Sequence, residues 1–255
     1  MEFQIPIKID TLPAPIHYRD KIMLTGSCFT EHIGDILSAW KFPVLQNPNG
    51  ILFDPVSIAG SLVSYIQNRQ YNEDDLFYQN EVWQHWQYHS RYAHTDRQEC
   101  LRRINASQQQ AHHFLKEASW LIITPGTSFS YRLSDAAMAT SGAGTEGSVA
   151  NCHKAPAAWF HKHLLTIEEI NSALDNCLHQ LFFFNPNLKI IFTISPVRHI
   201  RDGIVENNRS KARERLGYQT AYDLDAGMRL TGAWAELRNS VSTLRLYAAM
   251  PSQRS

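Results

Sequence analysis

The chain has 255 residues, a length at which α/β proteins commonly form one domain around one sheet. Its 24 basic and 24 acidic side chains cancel, so it lacks the positive charge expected of a protein that holds nucleic acid or an anionic membrane. Four scattered cysteines without a CxxC pair indicate neither a disulfide framework nor a structural zinc site. We therefore expect reduced thiols, no cofactor or metal, and a small neutral or mixed-charge partner.

Hydropathy predicts a cytoplasmic protein with no membrane partner. No apolar run approaches the ~20 residues that cross a bilayer. The N-terminal stretch MEFQIPIKIDTLPAP also lacks the basic and apolar regions of a signal peptide.

The first half of the chain predicts a strand, two helices and an aromatic-rich stretch. Lys21–Gly26 is a short apolar run that ends in glycine, and Phe29–Trp40 carries apolar side chains at helical spacing. A second helix is predicted over Pro55–Asn68, with Asp54 as its N-cap. The aromatic residues between 72 and 91 favour short strands or an ordered loop.

The second half continues this alternation. A polar helix-forming pattern over Thr95–Lys116 leads into Ala118–Thr124, an apolar run of strand length that a Pro-Gly pair ends. After a small-residue loop over Ser141–Ser148, the sequence predicts a helix with a capping box over Thr166–Phe184 and a strand over Lys189–Ile194. Apolar strands separated by helices predict an α/β fold: a three-layer α/β/α sandwich with a mainly parallel, flavodoxin-like sheet.

Polar residues follow each of the three predicted strands. Ligands bind outside the carboxyl ends of the strands in an open parallel sheet, so these residues are candidates for one shared crevice. The three groups are Gly26-Ser27-Cys28-Phe29-Thr30, Pro125-Gly126-Thr127-Ser128 and Ser195-Pro196-Val197-Arg198-His199.

Ser27 and Cys28 lie at the predicted start of the first helix. Gly26 permits a sharp turn there, and the positive end of the helix macrodipole favours an anionic nucleophile. A thiol responds most, because a helix N-terminus or a nearby cation can lower its pKa towards neutrality. The alternative, which spacing alone favours, is that Ser27 caps the helix and Cys28 packs as a small core residue.

Four motifs occur in a fixed order along the chain. They are Gly26-Ser27-Cys28-Phe29, Asn47-Pro48-Asn49-Gly50, Asn151-Cys152-His153-Lys154 and Ser195-Pro196-Val197-Arg198-His199. The set resembles the GSCFA family of the SGNH-hydrolase superfamily, over Ile5 to about Lys211. The resemblance implies an SGNH-hydrolase-like domain over residues 1–211. It further implies a hydrolase or acyltransferase that needs no cofactor and acts on a small-molecule or sugar ester.

The resemblance also implies a nucleophile. SGNH hydrolases carry a Gly-Asp-Ser motif after the first strand, in which the serine attacks the substrate. Laid over this sequence without a gap, that motif puts Cys28 in the nucleophile register. Ser27 is the alternative nucleophile if the turn is one residue shorter, or a group that orients the thiol or donates to an oxyanion.

Superfamily members use glycine and asparagine donors for the oxyanion of the reaction. Gly50 resembles the glycine, with an ordinary turn glycine as the alternative. The asparagine is absent, because Ser128 stands in its place after Gly126. Asn49 and Asn151 are the candidate substitutes.

The family's Asp-x-x-His near the C-terminus is missing: the corresponding end, Leu246–Ser252, contains neither residue. His199 and His153 are candidate substitutes for the base or candidate substrate-binding groups. The alternatives are that Arg198 with His199 forms a structural or substrate-binding pair and that His153 is structural. Residues 212–255 are interpreted as a divergent or frameshifted segment of the same domain. The missing pair also leaves open a non-catalytic small-molecule or carbohydrate-binding module.

Overall fold

Strands and helices alternate through most of the chain, and the computed structural model describes residues 14–141, 148–195, 210–211 and 247–249. Along the chain the elements are β1 (Ile22–Gly26), α1 (Cys28–Ala39), β2 (Val44–Gln46), α2 (Pro55–Gln67), β3 (Phe77–Gln79), β4 (Val82–Gln84), α3 (Arg97–Glu117), β5 (Trp120–Thr124), β6 (Phe129–Leu133), α4 (Asp135–Ser141), β7 (Phe160–Leu164), α5 (Ile167–Phe184), β8 (Lys189–Phe192) and β9 (Tyr247–Ala249). Short 3₁₀ turns precede β3, α3 and β7.

The main sheet has the strand order β2-β1-β5-β8-β9. β2, β1, β5 and β8 run parallel, whereas β9 pairs antiparallel with β8. In β1 and β5, Ile22 lies opposite Trp120 and Gly26 lies opposite Thr124, so the two strands end together. The order reverses between these strands, which makes their carboxyl ends the topological switch point of the sheet. The predicted α/β/α class with a mainly parallel sheet is confirmed.

Both faces of the central strands are buried, as β1 and β5 show along their whole length. Met23 and Ile123 pack with α2, α3 and α5, while Leu24 and Ile122 pack on the opposite face, against α1. Side chains alternate between the two faces of a strand, so an unbroken apolar run needs a helical layer on each side. This is the physical origin of the three layers.

The predicted helices begin close to the expected residues. Asp54 caps α2, because its Oδ1 accepts a hydrogen bond from the Ser57 N–H at 2.9 Å. Thr166 and Glu169 form the predicted capping box of α5. α1 begins at Cys28, one residue before the predicted start, so the thiol belongs to the first turn of the helix.

Several elements lie outside the sequence prediction. They are β2 at the sheet edge, α4, and the antiparallel pair of β6 and β7. The expected loop over Ser141–Ser148 falls mostly on residues 142–147, outside the described ranges. The segment predicted to be divergent, 212–255, also lies outside them apart from β9. Within the described ranges, no helix is long and apolar enough to cross a bilayer.

Candidate functional site

The candidate site begins at the switch point, where β1 turns into α1. Gly26 has φ +143°, and a Cβ built there would lie 2.1 Å from the backbone oxygen of Thr124. The next N–H, that of Ser27, donates to the same oxygen at 2.9 Å. Only glycine fits this approach of the two strands, and it places the following two residues at the carboxyl edge of the sheet.

Ser27 and Cys28 occupy different environments at this turn. Ser27 is the N-cap residue of α1, but its side chain makes no capping hydrogen bond. It is 1% exposed, and its Oγ has no hydrogen-bond partner within the described part of the chain. Cys28 is the first helical residue and is only half-buried. The structure therefore makes the thiol the more accessible of the two groups and does not give Ser27 the expected capping bond.

The Asn-Pro-Asn-Gly turn lies beside Gly26. Asn47 Oδ1 accepts a hydrogen bond from the Gly26 N–H at 2.9 Å, and the Leu52 N–H donates to the Gly26 oxygen at 2.9 Å. Gly50 has φ +89°, a conformation suited to glycine, and its N–H donates to the Asn47 oxygen at 2.7 Å. The turn thus lies against the end of β1, but the Gly50 N–H already has an acceptor inside the turn.

Two further residues predicted to line the crevice, Asn49 and Gly126, have structural partners. Asn49 is 1% exposed; its Oδ1 accepts from the Tyr65 hydroxyl at 2.9 Å, and its Nδ2 donates to the Gln87 oxygen at 3.2 Å. The Gly126 N–H donates to the Phe53 oxygen at 2.7 Å. Both groups hold loops of the site together in this structure.

Residues 210–211 pack against the loop that follows β5. The Ser128 N–H donates to Ser210 Oγ at 2.6 Å, and Ser128 Oγ donates to the Ser210 oxygen at 2.9 Å. The buried Lys211 Nζ donates to the Gly126 oxygen. Ser128, which stands in the place of the missing asparagine, is therefore a structural contact.

Asn151 and His153 lie against the loop that follows β4. The Asn151 N–H donates to the Trp86 oxygen at 3.1 Å, and its Nδ2 is buried without a partner in the described ranges. His153 Nε2 donates to the His85 oxygen at 2.9 Å, which leaves Nδ1 as a buried acceptor with no described partner. Burial lowers the pKa of His153 to about 4. A ring of such low basicity is a weak general base at neutral pH.

His89 packs against the Asn-Pro-Asn-Gly turn, although the sequence patterns did not point to it. A Cβ built on Gly50 would lie 2.1 Å from the His89 Cβ, so this ring begins directly against the predicted oxyanion glycine. The His89 N–H donates to the Asn49 oxygen at 2.8 Å, and His89 Nδ1 accepts from the Arg91 N–H at 3.2 Å. Burial, and then the charge of Arg91, lower the pKa of His89. His89 follows the short strand β4 by five residues, and only its tertiary contact with Gly50 reveals it.

Arg91 connects the His89 loop to α1. One guanidinium nitrogen lies 3.4 Å from the Glu31 carboxylate, and another donates to the Asn47 oxygen. Glu31 is one helical turn after Cys28. The loop therefore lies beside the first turn of α1, on the side of the Asn-Pro-Asn-Gly turn.

The remaining predicted residues, Arg198 and His199, lie outside the described ranges, and their roles stay predictions. In the part of the chain that the structure covers, no group of three or more His, Cys, Asp or Glu side chains is arranged to hold a metal ion.

The fold and the polar residues at its switch point define a doubly wound α/β protein whose candidate site lies at the carboxyl edge of the sheet. The chain belongs to the GSCFA family, whose family model matches residues 21–225. No curated protein and no solved structure matched the chain.

Proposed function

We propose that the protein is an ester hydrolase or acyltransferase that acts on a small-molecule or carbohydrate-linked ester through Cys28. One observation carries the proposal: a half-buried thiol occupies the first turn of a helix at the topological switch point. Ligands of doubly wound proteins bind at this place, and the helix dipole stabilises an anionic nucleophile there.

The other three thiols are poor candidates for the same chemistry. Burial raises the pKa of Cys100 and Cys152 to about 11 each and that of Cys177 to about 12. The thiolate is the reactive form, so these groups are almost wholly protonated and inert at neutral pH. Ser27 stays the alternative nucleophile, but its hydroxyl is 1% exposed.

The proposed reaction has two steps. The Cys28 sulfur attacks the ester carbonyl carbon, a C–S bond forms, and the carbonyl π electrons move to the oxygen as an oxyanion. The oxyanion re-forms the carbonyl, the bond to the alcohol oxygen breaks, and the alcohol leaves with the proton that the thiol gave up. Water or an acceptor hydroxyl then attacks the thioester, which releases an acid or a new ester and returns a proton to the sulfur.

Release of nitrophenol from p-nitrophenyl acetate tests the proposal. Wild type, Cys28→Ala, Ser27→Ala and the double variant are compared with heat-denatured protein. We expect Cys28→Ala and the double variant to fall to the denatured level, and Ser27→Ala to keep most of the wild-type rate. Cys152→Ala, which removes the other half-buried thiol, is the matched control and is expected to keep full activity. Loss in Ser27→Ala with retention in Cys28→Ala would move the nucleophile to Ser27.

A non-catalytic binding module is the second candidate function. The observation behind it is that Leu246–Ser252 contains neither the Asp nor the His that family members use as orienting group and base. On that alternative the chain binds an ester or an acetylated sugar without turnover. The binding module would be favoured over the enzyme by two results together. Wild type and the three variants would release nitrophenol no faster than the denatured control, and a calorimeter would detect heat of ligand binding.

A further inference from the structure

We propose that His89 is a catalytic residue whose Nε2–H donates a hydrogen bond to the oxyanion formed when Cys28 attacks the ester. The inference rests on the proposed function and adds the donor that the sequence lacks at Ser128. It assigns to a neutral imidazole the part that an asparagine amide plays in the superfamily that the chain resembles.

Two separate sets of contacts join the loop of His89 to the segments on either side of Cys28. On one side, the Leu52 N–H bonds to the Gly26 oxygen at 2.9 Å, and Gly50, two residues earlier, has the His89 Cβ against it. On the other side, the loop of His89 reaches α1 through the ion pair of Arg91 and Glu31, whose nitrogen and oxygen are 3.4 Å apart. The loop that carries His89 therefore lies between the turn that flanks β1 and the first turn of α1, which begins with Cys28.

The hydrogen bond from Arg91 determines which ring nitrogen carries the proton. His89 Nδ1 accepts from the Arg91 N–H at 3.2 Å, so in the neutral ring the hydrogen is on Nε2. Burial and the positive charge of Arg91 lower the pKa of His89, which outweighs the opposite effect of Glu31. The ring is thus neutral at physiological pH. Nε2 makes no hydrogen bond within the described part of the chain, and the side chain is half-buried, so the N–H is available.

This tautomer of His89 can act as a hydrogen-bond donor through Nε2, but it cannot act as a base there. A base must present a lone pair to the thiol proton, whereas Nε2 already carries a hydrogen. Oxyanion stabilisation needs neutral donors aimed at the developing charge, which a neutral imidazole N–H provides. Three of the other candidates are engaged: the Gly50 and Gly126 N–H groups have acceptors, and Asn49 bonds through both ends of its amide. Asn151 Nδ2 has no described partner, but it is buried against the loop that follows β4. The N–H groups of Cys28 and Phe29, which have no intrahelical acceptor in the first turn of α1, supply the second donor.

The test distinguishes His89 as an oxyanion donor from His89 as a base. It compares two reactions of the Cys28 thiol. Acylation by p-nitrophenyl acetate passes through an oxyanion, whereas alkylation by iodoacetamide displaces iodide and forms none. Both rates are measured at Cys28, the first by the nitrophenol burst and the second by mass spectrometry of the Cys28 peptide. The variants are His89→Phe, which removes the donor but keeps a ring, and His89→Gln, which restores a neutral N–H.

We expect His89→Phe to slow acylation about 10²–10³-fold and His89→Gln to recover about a tenth or more of the wild-type rate. Alkylation stays within about threefold of wild type in both, because the thiolate itself is unchanged. His94→Phe is the matched control: His94 Nδ1 also accepts from a backbone N–H two residues on, that of Asp96 at 3.0 Å. We expect both of its rates to equal those of wild type. Thermal unfolding establishes that each variant is folded, and His89→Ala replaces His89→Phe if the phenylalanine variant is not.

Three outcomes overturn the inference. If a folded His89→Phe variant is acylated at the wild-type rate, His89 is not an oxyanion donor, and the proposed function is unaffected. A parallel fall of acylation and alkylation shows that His89 acts on the thiol as a base. Absence of any Cys28-dependent acylation in wild type rejects the proposed function, and the inference with it.

Discussion

Gly26 and Gly60 illustrate how differently two glycines act in one fold. Gly26 combines a left-handed φ of +143° with a neighbouring backbone oxygen 2.1 Å from where a Cβ would be. Gly60 lies in α2, is exposed, and would meet nothing within 4 Å. A side chain at the first position must displace β5 backbone, whereas a side chain at the second only removes backbone freedom from the unfolded chain.

Alanine at these two positions should therefore change stability in opposite directions. We expect Gly26→Ala to lower the free energy of unfolding by about 2–4 kcal/mol, since it adds backbone strain to a steric clash. Gly60→Ala should raise it by about 0.5–1 kcal/mol through helix propensity. Urea unfolding measures both, and equal stability of Gly26→Ala and wild type would contradict the close approach of Gly26 to the Thr124 oxygen.

The loop between β4 and α3 carries more of the site than its sequence suggests. It supplies His89 against Gly50 and the His85 oxygen that accepts from His153. The patterns of the chain predicted that β1 ends at Gly26 and that the thiol follows it, because apolar runs and glycine turns are local signals. They could not predict that the Gly126 N–H already has an acceptor, because its bond to the Phe53 oxygen joins segments far apart in sequence.

Dependence on distant parts of the chain also explains why β2, β6 and β7 were not predicted from the sequence. β2 is only three residues long and is partly exposed. β6 alternates Phe129, Tyr131 and Leu133 with polar residues, but it becomes a strand by pairing with β7, about thirty residues on. β1 and β5 were predictable because their runs are apolar throughout, as strands buried on both faces require.

His153 should make the packing of this loop sensitive to acid. Its pKa is about 4 in the folded protein and 6.5 ordinarily, so between these pH values the unfolded chain binds more protons than the native one. Stability therefore falls as the pH falls from about 6.5 towards 4, by at most about 3 kcal/mol from this group.

His153→Asn tests that expectation. Asparagine tolerates the left-handed φ of 47° and keeps an amide that can donate to the His85 oxygen. We expect urea unfolding of the variant to lose less stability between pH 6.5 and 4 than wild type does. His161→Asn, at an exposed position of β7, is the control and should follow wild type. Identical pH profiles for His153→Asn and wild type would show that His153 is not held neutral by burial.

At the scale of the whole molecule, the sheet ends in a strand that comes from far along the chain. β9 pairs antiparallel with β8, with Ala249 opposite Ile190 and Tyr247 opposite Phe192. The preceding strands are parallel, so this one closes the sheet edge in the opposite direction. It satisfies backbone groups of β8 that would otherwise form an unpaired edge next to a buried apolar run.

Two truncations that differ by three residues isolate the contribution of β9. A chain that stops after Leu246 lacks the strand, whereas a chain that stops after Ala249 keeps it. We expect the shorter chain to lose about 2–3 kcal/mol of unfolding free energy, at roughly 1 kcal/mol for each backbone hydrogen bond of the pairing. It should also aggregate faster on heating, because the edge of β8 is then open to other chains. The longer chain should unfold like the full-length protein. If the two truncated chains unfold alike in urea, the edge of β8 gains nothing from this strand, and the sheet is stabilised by its parallel strands alone.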